Sequence, residues 1–360
     1  MKKAALHTHK KFLKLDRDHK LSAKAASLNY VLDNKPGIIR KKNGKGYVYF
    51  YSGKSVKDKI SLDRIKCLAI PPSWTNVWIC PGANGHIQAT GFDLNNRKQY
   101  RYHKLWNMMR SETKFHRLYE FGKKLPLLRS KIKKDMNGEG LTESKVLATV
   151  LNLMEHTHIR VGNNGYEKLY GSYGLTTLKD RHVIIKKEKI LFSFKGKKGI
   201  DHSISIKSKR LARIISHCRD IPGKELFQYY TASGEKKSID SGMVNNYIKE
   251  ITQADFTAKD FRTWAGSLHA LESFRSLEEP INDSEIRKNI NTVLDIVSNK
   301  LGNSRSICKK YYVHPGLIRL YEENKLKQYY LTKPPQTLNG KSAGFSTGEK
   351  ILMLTLKKSL

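Results

Sequence analysis

The spacing of the apolar residues changes near His103, and that change restricts the folds open to this chain. Before this point, short β-branched and aromatic runs alternate with turn residues, as at residues 47–51, 78–80 and 86–90. Residues 81–85 read Pro-Gly-Ala-Asn-Gly, which is typical of a connection between two strands of a hairpin. The region from about residue 30 to residue 102 is therefore predicted to be a small, mostly antiparallel β domain.

After His103 the apolar residues recur every three or four positions, which is the period of an amphipathic helix. Two such faces consist of Val146, Leu147, Val150, Leu151 and Met154, and of Ile286, Ile290, Val293, Leu294, Val297 and Leu301. Asp240 and Ser241 predict a helix start before Met243. A mainly α domain is therefore predicted to follow the β domain.

One segment inside the helical region has the pattern of strands. Residues 183–185, 190–194 and 204–206 are apolar and surround a glycine and lysine turn at 195–199, which predicts an inserted β-hairpin with lysines at its tip. Beyond about residue 325 the sequence is polar, and we expect a poorly ordered tail, in which residues 351–354 either add a late strand or dock on the body.

The expected fold class is therefore α+β, with a β-rich domain at residues 1–105, a mainly α domain at 106–325 and a polar tail at 326–360. Lys and Arg number 68 against 32 acidic residues, a formal net charge of +36 that is spread along the whole chain. Because self-repulsion on this scale costs stability, the charge indicates a polyanionic partner. Nucleic acid is favoured over a membrane surface or an acidic protein.

The cysteines favour a reducing compartment and exclude the common metal sites. Four of them lie far apart with no C-x-x-C pair, so neither a zinc site nor a disulfide framework is indicated. No H-E-x-x-H pattern occurs, and the NGKS sequence at residues 339–342 lacks the leading glycine of a nucleotide-binding loop. With no signal peptide or membrane span evident, we expect a cytoplasmic protein that needs no metal or nucleotide cofactor.

Two short sequences indicate the chemistry. KDFRTWAG at residues 259–266, and LGNS at 301–304 followed by KYYVHP at 310–315, offer an arginine, an amide and a tyrosine. A tyrosine oxygen can form a covalent phosphoryl intermediate when fixed cations hold the charge that builds on the phosphate. These sequences closely resemble the signatures of the type IB DNA topoisomerases, in particular the small bacterial and poxvirus-like group. Further matches extend from about residue 19 to residue 320.

The resemblance implies the catalytic fold shared by topoisomerases IB and tyrosine recombinases. It also implies relaxation of supercoiled duplex DNA without ATP or metal, through single-strand cleavage, a 3′-phosphotyrosyl intermediate, strand rotation and religation. The implied partner is double-stranded DNA, and we expect a monomer whose two domains clamp around the duplex. It would act at the bacterial nucleoid or, if the chain is viral, at the site of viral DNA.

The resemblance also implies a role for particular cations. Arg160, in the HIRVGN sequence at residues 158–163, and Arg262 would clamp the scissile phosphate, and an arginine fork can give two hydrogen bonds to two oxygens. Lys197, in the turn of the inserted hairpin, corresponds to the family's general acid towards the 5′ leaving oxygen. Lys259 would add a further positive contact. On charge pattern alone, the turn around Lys197 is a solvated basic turn.

The remaining catalytic positions are an amide and a tyrosine. Asn303 stands where some relatives carry histidine, and because an amide cannot relay protons near neutral pH, its expected role is stabilisation of the transition state. In the family the nucleophile precedes an aliphatic residue, histidine and proline. That order favours Tyr312 as the nucleophile. Tyr311 would then pack against the protein or contact a phosphate.

A second set of residues corresponds to the family's DNA-clamping surface: Arg97, Gln99, Tyr100 and Tyr102 in the β domain, and Tyr166 in the α domain. Without the family, Tyr100 and Tyr102 could equally form one face of a strand. Two alternatives to a topoisomerase stay open. A tyrosine recombinase usually has a histidine where Lys259 stands and Leu-Gly-His where this chain has Leu-Gly-Asn. An architectural DNA binder would account for the charge but not for the catalytic set.

Overall fold

The structure is a computed structural model, and it describes residues 9–44, 46–94, 96–331 and 344–358. The chain divides into two compact units, the first ending at Arg117 and the second beginning at Leu118. This division falls inside a long helix, later than the predicted limit at residue 105. The predicted domain limits at 105 and 325 therefore stay predictions. Among the described residues, no helix has the length and apolar character needed to cross a bilayer.

The first unit contains one six-stranded sheet in the order β3-β2-β1-β4-β5-β6, and each neighbouring pair is antiparallel. The strands are β1 (Ile38–Asn43), β2 (Gly46–Tyr51), β3 (Lys54–Ser55), β4 (Thr75–Ile79), β5 (Ile87–Phe92) and β6 (Lys98–Tyr102). Its helices are α1 (His9–Arg17), α2 (His19–Ala25) and α3 (Lys59–Cys67), and α4 (Lys104–Met136) begins here. The predicted antiparallel β domain, with a hairpin connection between β4 and β5, is confirmed.

The core of this sheet unit is small and apolar. Ile38, Val77, Ile79 and Ala89 of the sheet pack with Ile65 of α3. Sequence pattern did not predict α3, because its nine residues carry only a short apolar face between charged residues. A start signal was nevertheless present, since the carboxylate of Asp58 accepts a hydrogen bond from the amide of Ser61 at 2.8 Å and caps the helix.

The second unit is mainly helical, as predicted. Its helices, after the remainder of α4, are α5 (Glu143–Thr157), α6 (Asn164–Tyr170), α7 (Lys209–Arg219), α8 (Ser241–Thr252), α9 (Ala258–Ser276), α10 (Asp283–Leu301), α11 (Arg305–Tyr311), α12 (Pro315–Glu322), α13 (Lys327–Leu331) and α14 (Thr347–Lys358). Its strands are β7 (Val183–Lys186), β8 (Lys189–Lys195), β9 (Asp201–Lys207), β10 (Gln228–Tyr230) and β11 (Lys236–Ser238).

The predicted apolar faces form the core of this unit. The five residues of the α5 face are all buried, and so are those of the α10 face apart from Ile286, which packs against the core while partly exposed. Asp240 caps α8 as predicted. Helix α9 is buried over most of its length. Polar groups on α9 are therefore held by neighbouring elements of the protein.

The inserted segment is a three-stranded antiparallel sheet, where the sequence predicted a hairpin. β8 lies between β7 and β9, and it pairs with β9 over its whole length, from Lys189 opposite Lys207 to Lys195 opposite Asp201. The side chains of β9 alternate between exposed and half-buried, as expected for an edge strand with one solvent-exposed face. The turn between β8 and β9 carries Lys197.

The expectation of a poorly ordered tail is wrong for α14. Ile351, Leu352 and Met353 are buried on α14, so docking on the body is confirmed, but as a helix and not as a strand. Glu349 on this helix is only 4% exposed. It accepts hydrogen bonds from Arg129 at 2.6 Å and from the indole of Trp264 on α9 at 3.1 Å. The Pro-Pro pair and the NGKS sequence at residues 339–342 lie outside the described residues.

Replacement of Glu349 by glutamine tests whether this contact stabilises the unit. Burial raises the pKa of Glu349, but hydrogen bonds and charge from Arg129 lower it by more, so the carboxylate is stabilised in the folded state. Arg129 keeps a second partner in Glu155, so we expect Glu349→Gln to lower the free energy of unfolding by about 2–3 kcal/mol. Urea unfolding followed by tryptophan fluorescence measures this. The exposed pair formed by Glu323 and Lys325 supplies the control, Glu323→Gln, whose midpoint should match wild type. Equal midpoints for both variants would contradict the prediction.

Candidate active site

The C-terminal end of α10 holds two arginine side chains. Gly302 ends this helix in the left-handed conformation, with φ of 55°, so its last carbonyl groups are free to accept other donors. Arg262 donates to the carbonyl oxygen of Leu301 at 2.7 Å, and Arg160 donates to that of Gly302 at 3.0 Å. Arg160 also donates to the Oδ1 of Asn303 at 2.6 Å. The partial negative charge at a helix C-terminus favours cations at this position.

The backbone around Arg160 is fixed by close packing against residues 174–176. The carbonyl oxygen of Arg160 accepts a hydrogen bond from the amide of Leu175 at 2.9 Å. Gly162 has φ of 103°, and a Cβ at that position would lie 2.8 Å from the Oγ1 of Thr176. A left-handed φ in so narrow a space requires glycine. The glycine of the HIRVGN sequence therefore allows the turn that follows Arg160.

Arg262 is the more deeply buried of the two arginines, with 5% exposure. It also donates to the carbonyl oxygen of His158, which ends α5, so its guanidinium joins the C-terminal ends of two helices. Its Nε is buried without a hydrogen-bond partner among the described residues. A buried donor of this kind is costly unless a ligand satisfies it.

The charges of the two arginines stay uncompensated. Burial lowers the pKa of Arg160 to about 10, and the positive charge of Arg262 acts in the same direction. Burial also lowers the pKa of Arg262. Their anchors are neutral carbonyl and amide oxygens, and neither forms an ion pair with a carboxylate within the parts of the chain that the structure describes. The site is therefore suited to an anion.

Tyr312 lies beside this pair, immediately after α11. The Cζ of Arg262 is 5.3 Å from the centroid of the Tyr312 ring. Ser267, one and a half turns after Arg262 on α9, donates to the carbonyl oxygen of Tyr312 at 3.1 Å and accepts from the amide of His314 at 3.0 Å. Helix α9 therefore positions both an arginine and the backbone that follows the tyrosine side chain.

The structure thus brings together four of the five predicted catalytic residues: Arg160, Arg262, Asn303 and Tyr312. Lys197 is exposed in the β8–β9 turn, where its Nζ lies 5.2 Å from the ring centroid of Tyr166. Lys259 is exposed in the first turn of α9. Asp260, in the same turn, caps α9, since it accepts hydrogen bonds from the amide and hydroxyl of Thr257.

The predicted DNA-binding residues of the first unit lie on or next to β6. Tyr100 and Tyr102 share the exposed face of this strand and stack with ring centroids 5.7 Å apart. Arg97 donates to Asp93 at 2.6 Å, and Gln99 donates to the same carboxylate at 2.9 Å. One carboxylate therefore orients both polar side chains.

Sequence reasoning missed three histidines near the arginines. The Nε2 atoms of His158 and His269 are 2.8 Å apart, and Lys300 of α10 lies 3.3 Å from the Nδ1 of His269. His202 of β9 lies against Gly302. The position of His158 next to Ile159 and Arg160 was visible in the sequence, but the pairing across the fold was not, because 111 residues separate the partners.

Comparisons with known proteins indicate the family of this chain. The family model for the catalytic core of eukaryotic DNA topoisomerase I matches residues 98–336, and the model for the N-terminal domain of bacterial DNA topoisomerase IB matches residues 46–93. The chain is 33% identical over 297 residues to DNA topoisomerase 1B of Acanthamoeba polyphaga mimivirus, covering 80% of this chain and 88% of that protein. It is 28% identical over 240 residues to DNA topoisomerase 1B of Vaccinia virus (strain Copenhagen), covering 65% and 72%.

A family match over more than half of the chain, together with the mimivirus relative, establishes the class. The chain belongs to the type IB DNA topoisomerase family, whose members are isomerases that act on DNA. The matched catalytic core includes all five of the predicted catalytic positions, from Arg160 to Tyr312. Both relatives reported above come from viruses.

Replacement of Gly266 by alanine tests how tightly Tyr312 packs against α9. In a free helix this change would stabilise by about 1 kcal/mol. Here the added Cβ would lie 2.8 Å from the carbonyl oxygen and 2.9 Å from the Cβ of Tyr312, so overpacking should prevail and cost about 1–3 kcal/mol. Urea unfolding measures the net sign. Gly82→Ala is the control, because its added Cβ would meet nothing within 4 Å. A Gly266→Ala variant that is more stable than wild type would show that Tyr312 does not pack tightly against Gly266.

The paired histidines predict a loss of stability in mild acid. Burial is the main cause that lowers the pKa of His158 to about 4 and of His269 to about 3, against an ordinary value near 6.5. Below pH 6.5 the two histidines bind protons in the unfolded chain but not in the folded one, so the free energy of unfolding falls as pH falls. The fall is at most about 1.4 kcal/mol per pH unit for each histidine. Urea unfolding between pH 8 and 5 should show a shallower slope for His269→Gln. At pH 8 the difference in free energy of unfolding between His269→Gln and wild type reports only the change in packing. Identical pH slopes of the free energy of unfolding for the two proteins would contradict the prediction.

Proposed function

We propose that this chain relaxes supercoiled duplex DNA through Tyr312. The phenol loses its proton and its oxygen attacks the scissile phosphorus, which forms a 3′-phosphotyrosyl bond and breaks the bond to the 5′ oxygen. The departing oxygen takes a proton, the free 5′ end rotates, and the reverse attack reseals the strand. Torsional strain in the DNA drives the rotation, so no nucleotide is required.

The observation that carries this proposal is the pair of guanidiniums beside the tyrosine. Arg160 and Arg262 are held by neutral oxygens, so both charges are available to the non-bridging oxygens of a phosphate. Fixed donors aimed at developing charge stabilise a transition state more than water does, because they need no reorganisation. In the proposal, the unsatisfied Nε of Arg262 gains a partner when the phosphate binds.

The other residues take supporting parts in the proposal. Asn303 already accepts a hydrogen bond from Arg160 through its Oδ1, and its NH₂ group donates to the carbonyl oxygen of Leu301 at 3.4 Å. The second hydrogen of that NH₂ group can donate to a phosphate oxygen. Lys197 donates the proton that the 5′ oxygen needs, and Lys259 adds positive charge near the DNA backbone. The ring of Tyr166, next to Lys197, contacts a base or sugar.

The proposed DNA contacts of the first unit come from β6. Stacked, exposed Tyr100 and Tyr102 offer flat apolar surfaces, while Arg97 and Gln99, both oriented by Asp93, offer donors to the backbone or to base edges. We further propose that a single chain clamps the duplex, and that it acts wherever its DNA is kept. Counterion release makes such binding strongly dependent on salt.

Relaxation of a generic supercoiled plasmid in chelator and without ATP tests the activity and the nucleophile together. Wild type should relax the plasmid, and Tyr312→Phe should lose activity by more than about 10³-fold because the attacking oxygen is gone. Tyr311→Phe is the matched control and should stay within about threefold of wild type, as expected for a change that removes no reacting group.

The product distinguishes the alternatives. A denaturant stop should trap wild-type protein covalently on DNA through a 3′ phosphate. Exchange of strands between two sites in place of relaxation would favour a recombinase. Binding without a covalent product would favour an architectural protein. Loss of activity with Tyr311→Phe and not with Tyr312→Phe would move the nucleophile by one residue.

A further inference from the structure

His202 of β9 occupies a position that joins two parts of the proposed site. Its ring stacks on Phe194 of β8, with centroids 5.0 Å apart and planes 21° from parallel. The side chain points from the inserted sheet towards the end of α10, where the arginines are held. None of the roles assigned above uses this residue.

The imidazole fills the space between two glycines. A Cβ built on Gly196 would lie 2.6 Å from both the Cδ2 and the Nε2 of His202, and a Cβ built on Gly302 would lie 2.6 Å from its Cε1. Real Cβ atoms do not come so close, so the ring packs directly on both glycine backbones. Each glycine immediately precedes a proposed catalytic residue, Lys197 after Gly196 and Asn303 after Gly302.

The surrounding charges favour a neutral imidazole. Burial, followed by the positive charges of Arg160 and then Arg262, lowers the pKa of His202, and Asp201 opposes this shift. A neutral ring adds no third cation to the arginine pair. It can therefore act as an uncharged spacer within the field of both guanidiniums.

The turn that carries Lys197 needs such a support. It is short, its lysine side chains are exposed, and it closes through a hydrogen bond from the amide of Gly196 to the carbonyl oxygen of Ile200 at 2.7 Å. That bond sets the shape of the turn but not its distance from α10. The amide of Tyr173 holds the base of the turn by donating to the carbonyl oxygen of Lys195 at 2.8 Å, and the contact of His202 with Gly302 joins the turn to the end of α10.

We propose that His202 is a positioning residue that seats the Lys197 turn against the C-terminal end of α10, so that the proton donor and the arginines act on the same phosphate. This inference rests on the proposed function. It requires that His202 serve the departure of the 5′ oxygen and leave the charge stabilisation by Arg160 and Arg262 largely intact.

Two DNA substrates separate these effects. In one, the 5′ bridging atom at the cleavage site is oxygen, and in the other it is sulfur. An oxygen leaving group needs a proton from the general acid, whereas a thiolate is a much weaker base and departs without one. Single-turnover rates of covalent adduct formation are measured on both substrates, with wild type, Lys197→Ala and Arg160→Ala as references.

His202→Ala should cleave the oxygen substrate about 10–100 times more slowly than wild type and the sulfur substrate at nearly the wild-type rate. Lys197→Ala should show the same selective recovery, and Arg160→Ala should be slow on both substrates. Gly196→Ala tests the contact from the other side, because its methyl group would displace the imidazole while the backbone there has no left-handed strain. His217→Ala, an exposed histidine on α7, is the matched control and should behave as wild type.

Each failure has a distinct meaning. The inference would be overturned if His202→Ala and Gly196→Ala were slow on both substrates, or if they cleaved both at the wild-type rate. In either case the results with wild type and Lys197→Ala would still support the proposed function. If His202→Ala does not fold, the result with Gly196→Ala decides between these outcomes. Lys197→Ala without recovery on sulfur would remove the general acid and the inference with it. Wild type that forms no adduct with either substrate would overturn the proposed function itself.

Discussion

The carbonyl groups at the end of α10 hold the two arginine side chains on which the site depends. Backbone oxygens fix the guanidiniums in place as carboxylates would, yet leave their charges uncancelled. A carboxylate in the same place would have competed with any anionic ligand for the same donors. The net attraction for an anion therefore comes from the choice of neutral anchors, and the left-handed Gly302 makes those anchors accessible.

Helix α9 couples this site to the stability of the second unit. The same helix carries Arg262 towards the end of α10, Gly266 and Ser267 under the backbone of Tyr312, and Trp264 towards Glu349 of α14. Because the helix is buried over most of its length, movement of one face would disturb the others. The helix after the matched catalytic core is thus packed against the helix that carries Arg262.

Local pattern was sufficient for some elements and insufficient for others. The faces of α5 and α10 have the helical period over several turns, and each was predicted. The nine-residue α3 has too few apolar positions for a period to be visible, and α14 follows a polar stretch that suggested a tail. The third strand of the inserted sheet, β7, depends on pairing with β8, which the apolar run at residues 183–185 permits but does not specify.

The sequence alone determined the order of a β-rich region and a helical region and the excess positive charge, because these follow from side-chain chemistry and local spacing. Its short motifs, through their resemblance to a known family, singled out the arginines, the amide and the tyrosine as candidates. Only the tertiary structure decided that carbonyls anchor Arg160 and Arg262, that α9 seats Tyr312, and that His202 lies between two glycines. Apart from the contact of His202 with nearby Gly196, those contacts join residues separated by tens to more than a hundred positions. Packing of whole helices and strands sets such distances, and no local spacing rule contains them.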